Sequence, residues 1–169
     1  RALPNGTTTP VARVFGSDIK VTFVNHSTVL LQTEGLNILT DPVWSKRASP
    51  FPFLGSKRYM QPGVEFQALP KIDLVLLSHN HYDHMDIKTL KKIAKRDSPV
   101  IYTPLGNARY LTRNGVKGAV DMDWGDTKKF SDLVTVDFVP SQHFSARALS
   151  DRNKTLWGGF VVHLNHGDI

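Results

Sequence analysis

The order of apolar and polar residues predicts a chain that mixes strands with helices. Near the start, short apolar runs alternate with polar turns, and Glu34-Gly35 forms one of these turns, as in an antiparallel meander. These runs predict three strands, at 21–24, 28–32 and 36–39. In the centre, short aliphatic runs alternate with segments whose apolar residues recur at helical spacing. The pattern therefore predicts the α/β class, with a mixed β-sheet flanked by helices.

Two helices and five further strands are predicted after residue 70. Residues 86–96 place apolar side chains at 87, 90, 93 and 94, which is one stripe of a helix with a basic outer face. Asp86 is in position to cap this helix. A shorter helix is predicted at 107–113, where Asn114-Gly115 ends it. The predicted strands are at 72–77, 100–102, 119–122, 134–140 and 157–164.

Length and composition are those of one ordinary globular domain. The chain has 169 residues, of which 40% are apolar and 21% charged, so a core of normal size is expected. No apolar run approaches the roughly 18 residues of a membrane-spanning helix. We assign residues 1–19, which contain Pro4, Gly6 and Pro10, to an N-terminal arm, and residues 20–169 to the domain.

Charge and cysteine content narrow the chemistry. The chain has no cysteine, which excludes disulfides and thiolate metal ligands. Its formal net charge of +6 favours an anionic partner such as a phosphate ester or a lipid headgroup. No nucleic-acid-binding motif accompanies the charge, so we do not expect nucleic acid as the partner.

The segment 78–84, Ser-His-Asn-His-Tyr-Asp-His, directly follows a predicted buried strand. Ligand sites in α/β sheets usually form at such carboxyl ends. In an extended segment His79 and His81 project to the same side, so both imidazoles can reach one metal ion. A turn after His81 would let Asp83 and His84 bind a second ion nearby, as in two-metal hydrolases. The alternative is a polar loop that caps the next helix and leaves its imidazoles solvated.

The motif His79-x-His81-x-Asp83-His84 resembles the signature of the metallo-β-lactamase superfamily. Along about residues 20 to 169, further segments are similar, in order, to the N-acyl-phosphatidylethanolamine phospholipase D branch of that superfamily. These segments are Asn25-His26-Ser27-Thr28-Val29, Leu39-Thr40-Asp41-Pro42-Val43, Arg47-Ala48-Ser49-Pro50, Gly55-Ser56-Lys57-Arg58, Leu69-Pro70-Lys71-Ile72-Asp73, Pro104-Leu105-Gly106, Pro140-Ser141-Gln142-His143 and Leu156-Trp157-Gly158.

The resemblance implies a fold, further site residues and a cofactor. The implied fold is the N-terminal half of an αββα sandwich, and we expect the family's bridging aspartate and later histidine ligand to follow Ile169. His143 would supply the third nitrogen to the ion held by His79 and His81. His26 and Asp41 would lie near the metal pocket and orient its ligands, with a purely structural turn role as the alternative for each. The expected cofactor is zinc, with two ions in the complete site, or another first-row divalent metal.

The implied activity is metal-dependent hydrolysis of the phospholipase D type on N-acyl-phosphatidylethanolamine-like phosphodiesters. The metals would generate the attacking hydroxide, and Asp83, the candidate catalytic residue, would orient it. One alternative is a lactone, ester or amide hydrolase of the same superfamily. Another is a non-catalytic metal-binding half-domain that needs a partner chain. We expect a small-molecule or phospholipid substrate, peripheral membrane contact and self-association, in the cytoplasm or at a membrane surface.

The segment 43–70 is predicted to be irregular, and loops of this length are commonly functional. It mixes aromatic residues with cations, namely Trp44, Phe51, Phe53, Tyr59 and Phe66 with Lys46, Arg47, Lys57 and Arg58. In one interpretation the rings hold acyl chains and the cations hold phosphate. In the other, the loop folds over the sheet with its aromatics buried and its cations solvated. Ser145, Arg147 and Arg152 are further candidates to border the substrate.

Overall fold

The computed structural model describes residues 6–51 and 53–169, and Pro4 of the predicted arm lies outside them. Twelve strands, two α-helices and one 3₁₀ helix make up the regular structure of these residues. In chain order they are β1 (Lys20–Asn25), β2 (Thr28–Thr33), β3 (Leu36–Thr40), β4 (Arg47–Ala48), β5 (Ser56–Lys57), the 3₁₀ helix (Phe66–Ala68), β6 (Leu74–Leu76), α1 (Ile87–Asp97), β7 (Val100–Pro104), α2 (Ala108–Arg113), β8 (Ala119–Met122), β9 (Thr127–Lys129), β10 (Val134–Val139), β11 (Gly159–Leu164) and β12 (Gly167–Asp168).

The larger sheet has six strands in the order β1-β2-β3-β6-β7-β8. The first three are antiparallel neighbours, as the meander predicted, and β3, β6, β7 and β8 then pair in parallel. Parallel neighbours require a crossover connection, and α1 and α2 supply two of the crossovers. The predicted α/β class with a mixed sheet is confirmed.

A second sheet, in the order β12-β11-β10-β9, packs face to face against the first. Their shared core joins Leu74 and Leu76 of the first sheet to Val136, Phe138 and Val162 of the second, all of them almost fully buried. The opposite face of the first sheet packs on the helices through a separate core that includes Leu90, Ile93 and Leu111. The layers are therefore helices, six-stranded sheet and four-stranded sheet.

The predicted helix at 86–96 is confirmed as α1. The Asp86 side chain accepts hydrogen bonds from the backbone nitrogens of Lys88 (3.1 Å) and Thr89 (3.4 Å), which are among the free donors of the first turn. Leu90 and Ile93 are fully buried on the apolar stripe, while Lys88 is exposed on the opposite side. In the part of the chain that the structure describes, neither helix is long and apolar enough to cross a membrane.

The described part of the predicted arm, residues 6–19, has no regular structure of its own and lies against the domain. The Arg13 guanidinium forms an ion pair with Asp73 and donates a 2.9 Å hydrogen bond to the Gly35 carbonyl. The Thr8 nitrogen donates to the Gly63 carbonyl at 2.8 Å. The Arg13 contacts lie at the end of the sheet opposite the 78–84 segment, because Asp73 precedes β6 and that segment follows it. The Thr8 contact lies nearer the other end, because the Gly63 nitrogen donates to the carbonyl of Val24 near the carboxyl end of β1.

The predicted irregular segment 43–70 contains the short β4–β5 hairpin and the 3₁₀ helix, and is otherwise without regular structure. Some of its aromatic residues are buried, as expected for a loop folded over the sheet, and others are exposed and free to contact a substrate. Trp44 and Phe66 are half-buried against the helix-side core, whereas Phe51, Phe53 and Tyr59 are exposed.

Candidate metal centre

The candidate site residues meet because several strands end at the same edge. β1, β3 and β6 run in the same direction, so their carboxyl ends lie side by side. His26 follows β1, Asp41 follows β3, and the 78–84 segment follows β6. His143 comes from the second sheet, four residues after the end of β10. The site thus lies where both sheets open, as expected for a crevice at carboxyl ends.

Three imidazoles form the first cluster. His79 Nε2 lies 2.9 Å from His81 Nδ1 and 3.1 Å from His143 Nε2. His79 is almost completely buried, His81 is half-buried and His143 is exposed, so the cluster opens to solvent on one side. Each side chain can offer one nitrogen, and these three nitrogens lie within 4.8 Å of one another. The predicted convergence of residues 79, 81 and 143 is therefore present.

Asp83 and His84 form a second cluster, and His26 joins them. His26 Nε2 lies 3.0 Å from Asp83 Oδ2, and His84 Nε2 lies 3.7 Å from the same oxygen. One ligand atom from each of the three lies within 4.8 Å of the others. The two clusters adjoin, since the His79 and His84 rings are 4.0 Å apart between centroids. His26 thus lies among the candidate ligands, whereas the family resemblance implied that it orients the ligands without being one of them.

Asp41 lies behind both clusters and determines which imidazole nitrogens carry protons. An ionised carboxylate only accepts hydrogen bonds, so Ser78 Oγ donates its single proton to Asp41 Oδ2 at 2.6 Å. His79 Nδ1, 2.9 Å from Ser78 Oγ, must then be the donor in that contact. His84 Nδ1 donates to Asp41 Oδ2 at 2.7 Å. The Nε2 atoms of His79 and His84 are therefore left with lone pairs that face the clusters.

Backbone conformation also marks this edge. His26 and Asp41 have φ angles of +46° and +34°, in the left-handed region that non-glycine residues rarely adopt. Such strain persists only where surrounding contacts hold it. Asp41 is held by its own nitrogen, which donates to the Leu76 carbonyl at 3.0 Å, and by the Ser78 nitrogen, which donates to Asp41 Oδ1 at 2.8 Å.

The electrostatics favour neutral imidazoles at His79 and His81 and an ionised carboxylate at Asp83. Burial, together with the neighbouring His84, His81 and His143, lowers the pKa of His79 to about 3. Burial and His143 likewise lower the pKa of His81. In the second cluster burial opposes ionisation of Asp83, but His84, a backbone hydrogen bond and His26 outweigh it and lower the pKa of that carboxyl. Burial also opposes protonation of His84, yet the hydrogen bond to Asp41 raises its pKa.

Arg147 clamps the loop that carries the motif. Its Nη1 donates to the carbonyls of Asn80 (2.6 Å) and Met85 (3.0 Å), and its guanidinium carbon lies 4.0 Å from the centre of the Tyr82 ring. Tyr82 Oη in turn donates to the Arg147 carbonyl at 3.0 Å. We predicted from the sequence that Arg147 borders the substrate. Its role in holding this loop was not predictable, because it depends on contacts between residues more than 60 positions apart.

A cavity of ≈ 640 Å³ opens beside the clusters. His26, His81 and Asp83 line its floor. The wall that the 43–70 segment contributes includes Lys46, Lys57, Arg58, Tyr59 and Met60. Arg58 is tied to the protein, because its Nη2 donates to the carbonyls of Val43 (2.8 Å) and Ser45 (2.9 Å). Lys46 and Lys57 are exposed cations on this wall.

These layers and this histidine-rich edge are those of the metallo-β-lactamase class of folds. The chain belongs to the β-lactamase superfamily: the family model described as "Beta-lactamase superfamily domain" matches residues 36–169. The resemblance found in the motifs is therefore confirmed.

Three matches illustrate the relationship. The chain is 42% identical to the uncharacterized protein Rv0906 of Mycobacterium tuberculosis, over 89% of this chain and 41% of that protein. It is 35% identical to an N-acyl-phosphatidylethanolamine-hydrolyzing phospholipase D of Caenorhabditis elegans, over 86% of this chain and 44% of the relative. The fold is similar to Igni18, a metallo hydrolase from Ignicoccus hospitalis, with a TM-score of 0.65 at 18% identity, covering 89% of this chain and 58% of that structure. The chain thus spans less than half the length of these two curated relatives.

Proposed function

We propose that the two clusters hold two metal ions, with zinc as the expected metal. The first ion would be bound by His79, His81 and His143. In a tetrahedral zinc site, nitrogens about 2.05 Å from the metal lie about 3.3 Å apart. The observed separations of 2.9 and 3.1 Å are close to that value, so little movement is needed. This nitrogen triangle, beside a second cluster of donors, is the observation that carries the proposal.

The protonation states support the same reading. A metal ligand needs a free lone pair, and His79 keeps one on Nε2 because its Nδ1 donates to Ser78 Oγ, which in turn donates to Asp41. The low pKa of His79, about 3, keeps this ring neutral at ordinary pH. Asp83 and His84, with His26 beside them, would hold the second ion. Without a cation, the single lone pair of His79 Nε2 could accept a hydrogen bond from only one of its two imidazole neighbours.

We propose that the site hydrolyses a phosphodiester, of the N-acyl-phosphatidylethanolamine type. Bound metal ions would supply an activated water and polarise the phosphoryl group. Asp83 would accept a hydrogen bond from the attacking water and orient it. Water oxygen forms the new bond to phosphorus, the P–O bond to the alcohol breaks, and the departing alkoxide takes up a proton. Lys46 and Lys57 on the cavity wall would attract the phosphate.

The substrate class is supported by the 35% identity to a phospholipase D of this specificity. It is supported independently by the shape of the cavity, which places exposed cations beside Tyr59 and Met60. An amphiphilic phosphodiester offers both a charge and an apolar chain to such a wall.

The test is hydrolysis by the purified, zinc-loaded protein of an N-acyl-phosphatidylethanolamine, a lactone and a carboxylic ester, measured side by side. We expect release of phosphatidic acid from the first substrate, and loss of that activity in Asp83→Asn. Asp132→Asn serves as the matched control. Asp132 is an exposed carboxylate between β9 and β10 of the second sheet. Faster turnover of the lactone or ester than of the phosphodiester would refute the substrate assignment.

Metal content and mass distinguish the enzyme from a non-catalytic metal-binding half-domain that needs a partner chain. We expect elemental analysis to find two zinc ions per chain. We expect light scattering to give the molecular mass of a monomer. A metal-poor, self-associating species with no hydrolytic activity would instead favour the half-domain.

A further inference from the structure

The β4–β5 hairpin carries an apolar tip that the described residues do not cover. Phe51 is 53% exposed, Phe53 71% and Leu54 56%. We call these three residues the apolar tip. The Phe51 and Phe53 rings lie 6.3 Å apart between centroids, so they form one patch. Single exposed apolar residues are common on protein surfaces, whereas a cluster of them is typical of an interaction site.

The conformation of the hairpin fixes the apolar tip. Gly55 has a φ of +86°, and a Cβ there would lie 2.6 Å from Ser49 Cβ, so the turn can close only with glycine. Arg47 Nη1 donates to the Gly55 carbonyl at 2.7 Å and braces the turn from one arm. Gly55 and Arg47 thus fix the turn beside the apolar tip.

Cations without acids surround the apolar tip. Residues 43–64 contain four cations, Lys46, Arg47, Lys57 and Arg58, and no aspartate or glutamate. Arg47 and Lys57 are direct cross-strand partners in the hairpin. Like charges in that position repel each other, which an anionic surface would relieve.

A second element extends the positive surface. Phe51 and Arg47 line a cleft of ≈ 570 Å³ together with Lys88 and Lys91 of α1. Asp86 also lines this cleft, but its carboxylate already accepts from Ser45 Oγ at 2.9 Å and from the Trp44 and Ser45 nitrogens. The cations that line this cleft, Lys46, Arg47, Lys88, Lys91 and Arg147, outnumber Asp86, so the net charge beside the apolar tip is positive.

We propose that this face is a docking surface for an anionic lipid bilayer. The apolar tip would enter the interface, and Lys57, Lys88 and Lys91 would contact acidic headgroups. Apolar insertion combined with a polybasic rim provides the two signals that stable peripheral attachment requires. The arms of the same hairpin form the wall of the cavity beside His81 and Asp83, so docking would bring that cavity to the lipid surface.

The test is flotation of the protein with phosphatidylcholine vesicles, with and without phosphatidylserine. We expect binding to the acidic vesicles that is much weaker on phosphatidylcholine alone and falls with added salt. Phe53→Ser combined with Leu54→Ser should reduce binding at least about tenfold. The matched control is Val21→Ser combined with Phe23→Ser on β1, which are 60% and 61% exposed but outside this face, and it should bind normally.

The charge contribution has its own pair of variants. Lys57→Gln combined with Lys91→Gln should weaken binding about 25-fold, at about fivefold per cation near an acidic surface. Lys20→Gln combined with Lys117→Gln removes the same charge from exposed positions elsewhere and should change little. Failure of the native protein to float, or equal binding by all variants, would overturn the proposal. So would a loss of self-association, measured by light scattering, as the only effect of the apolar-tip variant.

Metal-free protein should dock as well as metal-loaded protein, because no residue of the two clusters belongs to this surface. Docking without hydrolysis would therefore refute the proposed activity and support the docking surface. Hydrolysis of a detergent-dispersed substrate by a protein that does not float would support the activity and refute the docking surface.

Discussion

Replacing Asp41 with Asn tests whether one carboxylate sets the protonation state of both clusters. The substitution keeps the shape of the side chain but turns one acceptor oxygen into a donor NH₂. If the amide oxygen keeps the bond from the Ser78 nitrogen (2.8 Å), the NH₂ group faces Ser78 Oγ and His84 Nδ1, 2.6 and 2.7 Å from the oxygen it replaces. A donor there forces His84 Nδ1 to accept, which moves its proton to Nε2 and blocks the lone pair.

The expected loss follows from the size of such effects. Removing a hydrogen-bonding partner behind a metal ligand typically costs 10- to 100-fold in metal affinity, or about 1.4–2.8 kcal/mol. Asp41→Asn should show this loss mainly at the cluster that contains His84, with a smaller one at His79, which Asp41 reaches only through Ser78. Competition between the protein and a zinc indicator, with both sites resolved, measures it. Imidazole nitrogen NMR of the metal-free protein should show the exchanged tautomer of His84.

Asp121→Asn is the matched control for the metal titration. Like Asp41, Asp121 accepts hydrogen bonds through its carboxylate, here from the backbone nitrogens of Asn107 (3.1 Å) and Ala108 (2.8 Å) at the start of α2. It belongs to neither cluster. Its replacement should leave the zinc affinity unchanged. Native affinity at both sites in folded Asp41→Asn, or an equal loss in Asp121→Asn, would refute the reasoning.

Three further predictions concern single positions. His81→Ala should weaken zinc binding at the first cluster by more than about 100-fold, because it removes a ligand itself; unchanged stoichiometry by elemental analysis would contradict the assignment. Gly158→Ala should lower the free energy of unfolding by about 1–3 kcal/mol in urea titrations, since its Cβ would lie 2.3 Å from the Val139 carbonyl oxygen. Gly159→Ala, with its nearest contact at 3.6 Å, is the control and should be nearly neutral. Hydrogen bonds from His163 to Asp137 and then Asp168 raise the pKa of this exposed imidazole, so Asp137→Asn should lower it in an NMR titration. Because the folded pKa is the higher one, the pair stabilises the fold below about pH 6.5, and this stabilisation disappears as pH rises through the folded value.

The sequence predicted the elements in which apolar residues recur at the spacing of the buried face. The stripe at 87, 90, 93 and 94 located α1, and the alternation of β10 located its buried face at Val134, Val136 and Phe138. β9 was missed because its Thr-Lys-Lys sequence has no apolar face and is held by backbone pairing to β10. The residue pattern alone did not indicate which strands belong to which sheet, since sheet order depends on partners far apart in sequence; the two sheets were implied only by the family resemblance.

The candidate site divides in the same way. Residues 79–84 are close in sequence, so their spacing alone indicated two adjacent positions. His143 was found only through the family resemblance, because 64 residues separate it from His79. The place of His26 beside Asp83 depends on a left-handed turn between β1 and β2, and no residue pattern indicated that turn.

The clusters depend on how the two sheets pack, and this couples the site to the stability of the fold. His79 and His81 follow a strand of the first sheet, whereas His143 follows a strand of the second. Besides the shared core, the sheets are joined near the site by the Gly158 nitrogen, which donates to the Ser78 carbonyl at 2.9 Å, and by Arg147, which holds Asn80 and Met85. An ion bound by all three imidazoles would tie the same two layers together. Because such an ion binds the folded state and not the separated sheets, metal should raise the resistance to unfolding, and a variant that loosens the shared core should lower metal affinity without touching a ligand.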